Sequence, residues 1–320
     1  MKAVVIREFG PPGVLRLEDV PAPSVGQADV IIDVAFASIT FVETQVRAGR
    51  PPNKAMLPVL PAILGNGVGG TVTWAGQEPG LLGRRVVAAL GGKGGYAEQA
   101  AAAAAGVVEV PDGLELRDAT ALLADGRTAL GLMDLAGIGK NETVLVEAAA
   151  GGVGTLLVQL ARNAGAKVIA LAGQERKLAV SRDLGADLVV DYSAPDWPSR
   201  VRAGAGRVDV VFDGVGGRTG LAAFDLLGAG GRFCSFGMAS GGFAPVDSEL
   251  ARQRGVILLR NAPPDPARVR ALSAAALDQA AAGYIRPVIG QEFALLQAAE
   301  AHAAIESRAA IGKTLLVAAR

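Results

Sequence analysis

The stretch VLVEAAAGGVGTLLVQLARNAGAKVIALAGQERK, residues 144–177, decides the fold. Two apolar segments of strand length enclose a glycine-rich turn and a segment with helical spacing. Gly151, Gly152 and Gly154 stand at the turn, where the chain bends tightly, packs a helix against a strand and leaves the backbone open to a phosphate. The helix would point its unbonded N–H groups and its positive dipole end at that phosphate. The stretch therefore predicts a βαβ unit that binds a dinucleotide, with a purely structural turn as the alternative.

The charges after the second strand indicate which dinucleotide is bound. In a site for NAD an acidic residue is expected about 20 residues beyond the glycines, where it binds the ribose 2′-hydroxyl. Here residues 170–173 end the strand without a carboxylate, and Arg176 and Lys177 follow as donors for a 2′-phosphate. Glu175, an acid beside them, counts against this interpretation. On balance the pattern favours NADPH as the cofactor.

Composition limits the class of protein. The chain has 320 residues, of which 51% are hydrophobic and 19% charged, enough apolar material for one large domain or two ordinary ones. Lys plus Arg equals Asp plus Glu at 31 each, which disfavours nucleic acid as a partner. The longest apolar stretch, 143–161, is broken by Glu147 and glycines, so no membrane span is predicted. We expect a cytoplasmic protein, because its single cysteine cannot form an intrachain disulfide.

The ligand inventory argues against a metal enzyme. Cys234 is the only cysteine and His302 the only histidine, whereas a tetrahedral zinc site needs three or four Cys, His or carboxylate ligands. No metal is therefore predicted. Cys234 lies in an apolar strand and is expected to be buried and inert. His302 lies in a helical stretch and is expected to be a surface or interface group.

The pattern along the chain predicts an α/β fold with two domains. The first third holds short strands separated by Gly and Pro, as in a barrel or sandwich. From Glu142 onward, apolar strands alternate with helical segments, which indicates a doubly wound parallel sheet covered on both faces. The predicted helices there are 153–164, 174–184, 195–204, 218–228 and 247–253. We assign 121–262 to the doubly wound (Rossmann) domain, inserted into a β-rich domain made of 1–120 and 263–320.

Six segments together resemble the medium-chain dehydrogenase/reductase superfamily, and more narrowly its zinc-independent quinone oxidoreductases, the zeta-crystallin-like group. The segments are AAAGGVG (148–154), GGYAE (94–98), GRTAL (126–130), DGVGG (213–217), GGRFCSFGMASG (230–241) and RPVIGQEFALLQAAEAHAAIESRAAIGK (286–313). This resemblance implies a GroES-like β-barrel domain beside the Rossmann domain. It also implies transfer of a hydride from NADPH to a small-molecule quinone or related α,β-unsaturated carbonyl, without a metal.

The resemblance also implies which residues contact the cofactor. Gly173, Lys177 and Tyr192 would lie at the 2′-phosphate, with Arg176 as a second cation. Ala150, Gly151, Gly152 and Val153 would lie along the pyrophosphate. The remaining predicted contacts are Thr128, Val215, Phe236, Gly237 and Met238, of which Thr128 and the last three match segments beside the nicotinamide.

The chain departs from the family pattern where the substrate would bind. Thr40 stands where an asparagine usually approaches the nicotinamide, Gln45 where a tyrosine is often found, and Met238 where an asparagine is usual; residues 64–70 lack the usual acid. We predict Thr40 and Thr128 as the catalytic residues, with Thr40 donating a hydrogen bond to the acceptor oxygen. Ordinary packing is the alternative role for Thr40.

Other functions stay open. An enoyl-thioester (enoyl-CoA or enoyl-ACP) reductase would favour a proton-donating tyrosine in the pocket, and Gln45 argues mildly against it. A non-enzymatic protein that senses NADPH or binds RNA is a third possibility, and the zero net charge disfavours RNA. The strand VILLR, residues 256–260, is expected at the edge of the Rossmann sheet, where pairing between two copies would give a homodimer.

Overall fold

The chain folds into two compact units. The computed structural model describes residues 1–26, 29–260 and 265–318. One unit comprises Met1–Arg127 and Asp265–Arg320, and the other comprises Thr128–Pro264. The domain limits at 120/121 and 262/263 stay predictions, and the second of them lies outside the described residues.

The elements follow one another as strands first, then alternating strands and helices. The strands are β1 Lys2–Ile6, β2 Arg16–Asp19, β3 Asp29–Ile39, β4 Ala62–Ile63, β5 Gly67–Trp74, β6 Arg85–Ala89, β7 Gln99–Ala103, β8 Val107–Glu109, β9 Thr143–Val146, β10 Lys167–Ala172, β11 Leu188–Asp191, β12 Val208–Asp213, β13 Leu227–Ser235, β14 Ile257–Leu259, β15 Ile289–Ala294 and β16 Lys313–Val317. The α-helices are α1 Phe41–Arg47, α2 Leu116–Ala136, α3 Gly152–Asn163, α4 Glu175–Asp183, α5 Trp197–Ala205, α6 Gly217–Phe224, α7 Ser248–Arg254, α8 Pro266–Ala281 and α9 Ala298–Glu306.

The central unit is a doubly wound sheet, as predicted. Its six strands lie in the order β11-β10-β9-β12-β13-β14, and every adjacent pair is parallel. The chain starts at β9, winds out to β11, and then returns to add β12 on the other side of β9. Loops that leave the carboxyl ends of β9 and β12 therefore diverge, which opens the crevice where such sheets bind ligands.

Burial on both faces explains the apolar strands of this sheet. All four residues of β9 are buried, as are five of the six in β10. Leu145, Ile169, Val211, Phe224 and Phe233 belong to one core cluster. Strands covered on both faces lose the alternation of polar and apolar residues, which is why they stand out in the sequence.

One predicted helix is wrong at its end. The segment 218–228 was expected to be helical throughout, but α6 stops at Phe224 and β13 begins at Leu227. Leu227 pairs with Val208 across a bulge in the parallel ladder. Pairing with β12 thus overrides the local preference of these residues.

The other unit is β-rich and uses both ends of the chain. A seven-stranded sheet contains the path β15-β16-β3-β5-β6-β8, with β7 paired to β3, and a second sheet has the order β2-β1-β4. Strand β16 runs parallel to β15 and antiparallel to β3. Residues near the C-terminus therefore sit inside the sheet that residues 29–39 begin. This is the inserted arrangement of a Rossmann domain within a GroES-like domain.

Within the described residues, no helix combines the length and the apolar character needed to cross a membrane.

Candidate functional site

Five loops leave the carboxyl edge of the central sheet, and they carry most of the predicted cofactor residues. Thr128 lies outside these loops, half-buried on α2, and Thr40 belongs to the other unit. The predicted residues in these loops, or in the first turn of the helix that follows, are Ala150, Gly151, Gly152 and Val153 after β9; Gly173, Arg176 and Lys177 after β10; Tyr192 after β11; Val215 after β12; and Phe236, Gly237 and Met238 after β13. Because the strands are parallel, residues far apart in the sequence meet at one edge.

The glycine turn after β9 is shaped for an anion. Gly151 is the N-cap of α3, whose twelve residues begin without a side-chain cap and without an acid in the first turn. Ala148 adopts a left-handed φ of 47°. A Cβ atom on Gly154 would lie 2.3 Å from the Ala148 carbonyl oxygen, so only glycine fits this approach of helix and turn. The uncapped start of α3 and the close backbone fit the pyrophosphate of a dinucleotide.

The segment after β10 and β11 gathers the predicted phosphate donors. A Cβ atom on Gly173 would lie 3.8 Å from Cε2 of Tyr192, so these two residues are neighbours. Arg176 is exposed, and its Nε donates to Oε1 of Gln174 at 3.1 Å. Lys177 is half-buried on the first turn of α4.

Glu175, the acid that counted against a phosphate site, has a partner. Its Oε1 lies 3.1 Å from a terminal guanidinium nitrogen of Arg182 on the same helix. This ion pair offsets part of its charge, although the pair is exposed and therefore weak. The chemistry at the end of β10 thus fits an anionic group such as the 2′-phosphate of NADPH.

The loops after β12 and β13 are bonded to each other. The N–H groups of Phe236 and Gly237 donate to the Asp213 carbonyl oxygen at 2.9 and 3.2 Å, and Ser240 N donates to the Val215 carbonyl oxygen at 2.8 Å. A Cβ atom on Gly237 would lie 2.4 Å from the Gly214 carbonyl oxygen. Phe236 and Gly237, two of the residues predicted to lie beside the nicotinamide, are thus held against the turn that follows β12.

Sequence reasoning missed a buried pair of carboxyl groups beneath this turn. Glu147 follows β9, Asp213 ends β12, and both are fully buried. Burial raises the pKa of Glu147 well above its usual range, and the neighbouring charge of Asp213 raises it further. The signal in the sequence was a lone acid directly after the apolar run TVLV.

The thiol of Cys234 lies in the same region and is buried, as expected. Burial, together with the charge of Asp213, raises its pKa from 9.0 to about 12. A thiol with so high a pKa holds its proton at neutral pH and is a poor nucleophile.

In the β-rich unit, Thr40 is tied to Glu43. Thr40 precedes α1, and both its backbone N–H and its hydroxyl donate to Oε2 of Glu43, at 2.6 and 2.8 Å. The N–H of Asn66 donates to the other oxygen of Glu43 at 2.8 Å. Burial raises the pKa of Glu43, and these hydrogen bonds oppose the rise. The Thr40 hydroxyl proton is therefore already used, and its role as a donor to substrate stays a prediction.

The expectation that His302 lies at the surface is wrong. Its side chain is fully buried, and Nε2 lies 3.0 Å from the hydroxyl of Tyr96. Ala298, Ala301 and His302 are the buried residues of α9, so the histidine shares the helix face that packs inward. The spacing of 298 and 302, four residues apart on one helix face, was the signal available in the sequence. Burial lowers the pKa of His302 from 6.5 to about 3, with the charge of Arg47 acting in the same direction.

Across residues 1–26, 29–260 and 265–318, no group of three or more His, Cys, Asp or Glu side chains is placed to hold a metal ion. Catalysis without a metal stays a prediction.

Comparisons with known proteins point in one direction. A family model described as zinc-binding dehydrogenase matches residues 152–261. The chain is similar to a quinone oxidoreductase of Pseudomonas aeruginosa, with 31% identity over 99% of each protein. It is also similar to the solved structures of a mycobacterial protein complexed with NADPH (33% identity, TM-score 0.89, 99% of each chain) and of the Escherichia coli quinone oxidoreductase complexed with NADPH (28% identity, TM-score 0.90, 99% of this chain and 100% of that one). The likeness to each of these three proteins covers both units of the chain, whereas the family model matches residues within the Rossmann unit alone.

Proposed function

We propose, since the chain belongs to the quinone oxidoreductase family of the medium-chain dehydrogenase/reductase superfamily, that it is an NADPH-dependent reductase of quinones or related α,β-unsaturated carbonyl compounds and that it works without a metal. The observation that carries the proposal is the edge of the central sheet. There, α3 starts at a glycine turn without a side-chain cap. The neighbouring strand β10 ends without an acid and is followed by the cations Arg176 and Lys177.

NADPH would bind along this edge. The turn after β9 and the first turn of α3 would receive the pyrophosphate, because the helix begins without a side-chain cap and Gly154 lets helix and turn approach closely. Arg176, Lys177 and Tyr192 would receive the 2′-phosphate. Thr128, Val215, Phe236, Gly237 and Met238 would line the nicotinamide end. The bound cofactor supplies a hydride, and the protein supplies position and exclusion of water.

A conjugated acceptor suits the residues at Thr40. When a quinone or enone takes up a hydride, the negative charge spreads over the conjugated system, so a strong protein acid is not required. The Thr40 hydroxyl donates to Glu43, and what it offers a substrate is an oxygen lone pair. Gln45, at the position where an enoyl-thioester reductase would favour a tyrosine, donates from Nε2 to the Thr44 hydroxyl at 3.1 Å. These side chains favour quinones and enones over enoyl-thioesters as acceptors.

A homodimer is part of the proposal. Strand β14 lies at the end of the six-stranded sheet, and Ile257 on it is 53% exposed. Pairing of two such edges would satisfy backbone groups that face solvent and cover this side chain. Light scattering after size-exclusion chromatography should give twice the chain mass, and a monomer mass at every concentration would contradict the dimer.

The test is cofactor oxidation against a panel of acceptors. Purified protein should oxidise NADPH with quinones and enones, more slowly with enoyl-thioesters, and much more slowly when NADH replaces NADPH. Faster turnover of enoyl-thioesters would favour that alternative. Tight binding of NADPH without turnover of any acceptor would favour a non-enzymatic sensor. Equal or tighter binding of NADH, or stoichiometric zinc in the purified protein, would overturn the proposal.

A further inference from the structure

The turn after β12 rests on two acidic side chains. Asp213 accepts hydrogen bonds from Gly216 N at 2.6 Å, Val215 N at 3.2 Å and the Ser235 hydroxyl at 2.7 Å. Glu147 accepts a second hydrogen bond from Val215 N, at 3.1 Å to its Oε2. The position of Val215 thus depends on both carboxyl groups.

The two acids are not equally well supplied with donors. Asp213 has three donors and lies just before α6, where the positive end of the helix dipole favours a negative charge. Glu147 has one donor on Oε2, and no donor among the described residues reaches its buried Oε1. A buried carboxylate oxygen without a donor costs free energy, whereas a protonated carboxyl group is itself a donor. Val215 N donates to both carboxyl groups, so the two acids lie side by side, and a proton on Glu147 would remove both the unmet oxygen and the repulsion between two charges.

We propose that Glu147 is protonated at neutral pH and donates to Asp213, and that this single shared proton holds the turn of residues 213–216 in the shape that receives the cofactor. Glu147 is then a positioning residue: it acts through Asp213 and Val215 and does not touch the reacting atoms. The inference rests on the proposed function for its link to NADPH, but the protonation of Glu147 does not.

The surroundings support this assignment. Among the described residues, the ionisable groups that face the pair are those of the pair itself and the Cys234 thiol on β13, whose pKa burial and Asp213 raise to about 12. The thiol is neutral, so it offers no charge that would stabilise a second carboxylate. Burial and the charge of Asp213 both push the pKa of Glu147 upward, and the bond from Val215 opposes them only in part.

Infrared difference spectroscopy tests the proton directly. A protonated carboxyl group has a C=O stretch that a carboxylate lacks, and this band shifts in D₂O. The spectrum of the wild-type chain minus that of Glu147→Gln, at neutral pH, should show one such band. Asp183→Asn, which changes an exposed acid on α4, should leave it in place. Absence of the band in wild-type protein that is folded by circular dichroism would overturn the assignment. If Glu147→Gln does not fold, Asp213→Asn is used instead. Without the negative charge of Asp213, Glu147 should lose its proton at a lower pH, so the band should disappear at a lower pH than in the wild-type protein.

Binding of NADPH tests the positioning role. Glutamine keeps an acceptor for Val215 N and a donor for Asp213, so Glu147→Gln should bind NADPH within about twofold of wild type. Leucine has a volume similar to that of glutamate but neither accepts nor donates a hydrogen bond. Glu147→Leu should therefore bind NADPH about fivefold to tenfold more weakly, measured at a temperature where melting curves show it folded. If both variants bind NADPH more weakly by the same factor, a carboxylate is needed at this position. If wild type and both variants bind NADPH equally, the turn does not depend on the pair. Either result overturns the positioning role of Glu147. If the wild-type chain binds no NADPH, the proposed function fails, while the infrared result still decides the protonation of Glu147.

Discussion

The hydroxyl of Tyr96 lies 3.0 Å from Nε2 of His302, and both side chains are completely buried in the β-rich unit. Their rings meet edge to face, with centroids 5.7 Å apart. Arg47, also buried, lies near them and forms an ion pair with Glu306. A second positive charge on His302 would be both desolvated and repelled by Arg47, so this histidine is neutral in the folded protein.

The neutral histidine predicts a specific loss of stability in acid. The pKa of His302 is about 3 when folded and about 6.5 when unfolded, so the unfolded chain takes up a proton first. The contribution of His302 to stability is therefore complete above about pH 6.5 and is lost as pH falls toward about 3. Between about pH 7 and pH 4 this amounts to up to about 3 kcal/mol. We expect His302→Gln to show a correspondingly smaller fall in its free energy of unfolding over that range, measured by urea denaturation.

Tyr96→Phe is the control for this prediction. It removes the hydrogen bond but keeps the histidine buried, so it should lower stability and retain the steep dependence on pH. The same acid sensitivity in His302→Gln as in wild type would contradict the assignment.

Gly154→Ala should damage both the fold and the cofactor site. The added methyl group would lie 2.3 Å from the Ala148 carbonyl oxygen and 2.8 Å from Cα of Ala149, both backbone atoms, so the turn itself must move. We expect a loss of about 1–3 kcal/mol in thermal or urea unfolding, and NADPH binding at least about tenfold weaker by fluorescence titration. Gly106→Ala is the matched control, since nothing lies within 4 Å of its added Cβ. Similar effects in the two variants would mean that helix-turn packing is not the cause.

Lys177→Ala should reduce the preference for the phosphorylated cofactor. A hydrogen bond to a charged group contributes about 1.5–3 kcal/mol, so the Kd for NADPH should rise about tenfold to a hundredfold. The Kd for NADH, which lacks the 2′-phosphate, should change little. Lys140→Ala removes an exposed lysine elsewhere in the same unit and should leave both constants unchanged. A parallel loss for NADH and NADPH in Lys177→Ala would show that the lysine does not recognise this phosphate.

Thr40→Val tests what the Thr40 hydroxyl does. Because the hydroxyl donates to the buried Glu43 carboxyl group, its removal should cost about 1 kcal/mol of stability. We expect kcat with a quinone to stay within about threefold of wild type, and Thr40→Ser to restore stability. A fall in kcat of more than about tenfold in Thr40→Val, rescued by Thr40→Ser, would instead support donation of a hydrogen bond to the substrate.

The features that sequence predicted well are local ones. The glycine turn at 151–154 and the apolar runs of β9, β10 and β12 carry their signal within a few residues, because a tight turn needs glycine and a strand covered on both faces is apolar throughout. The end of α6 was placed wrongly, since Leu227 is drawn into the sheet by pairing with Val208, far away in the chain.

The polar pairs were missed for the same reason. Glu147 meets Asp213 only because β12 lies beside β9, and the sequence pattern alone does not state that order. The bond from Asn66 to Glu43 joins a loop to a helix in the same way. His302 is different, because its burial could have been recognised from the spacing of the helix. Ala298 and Ala301 precede it by four residues and one residue, and both are buried with it.

The inserted arrangement also sets the order in which the chain can fold as it is made. All six strands of the Rossmann sheet have been synthesised once residue 259 has left the ribosome, whereas the sheet begun at β3 waits for β16 at residues 313–317. The nucleotide-binding half can therefore acquire its full hydrogen-bonded ladder during translation, while the sheet that contains β3 must keep a strand position unfilled until residues 313–317 emerge.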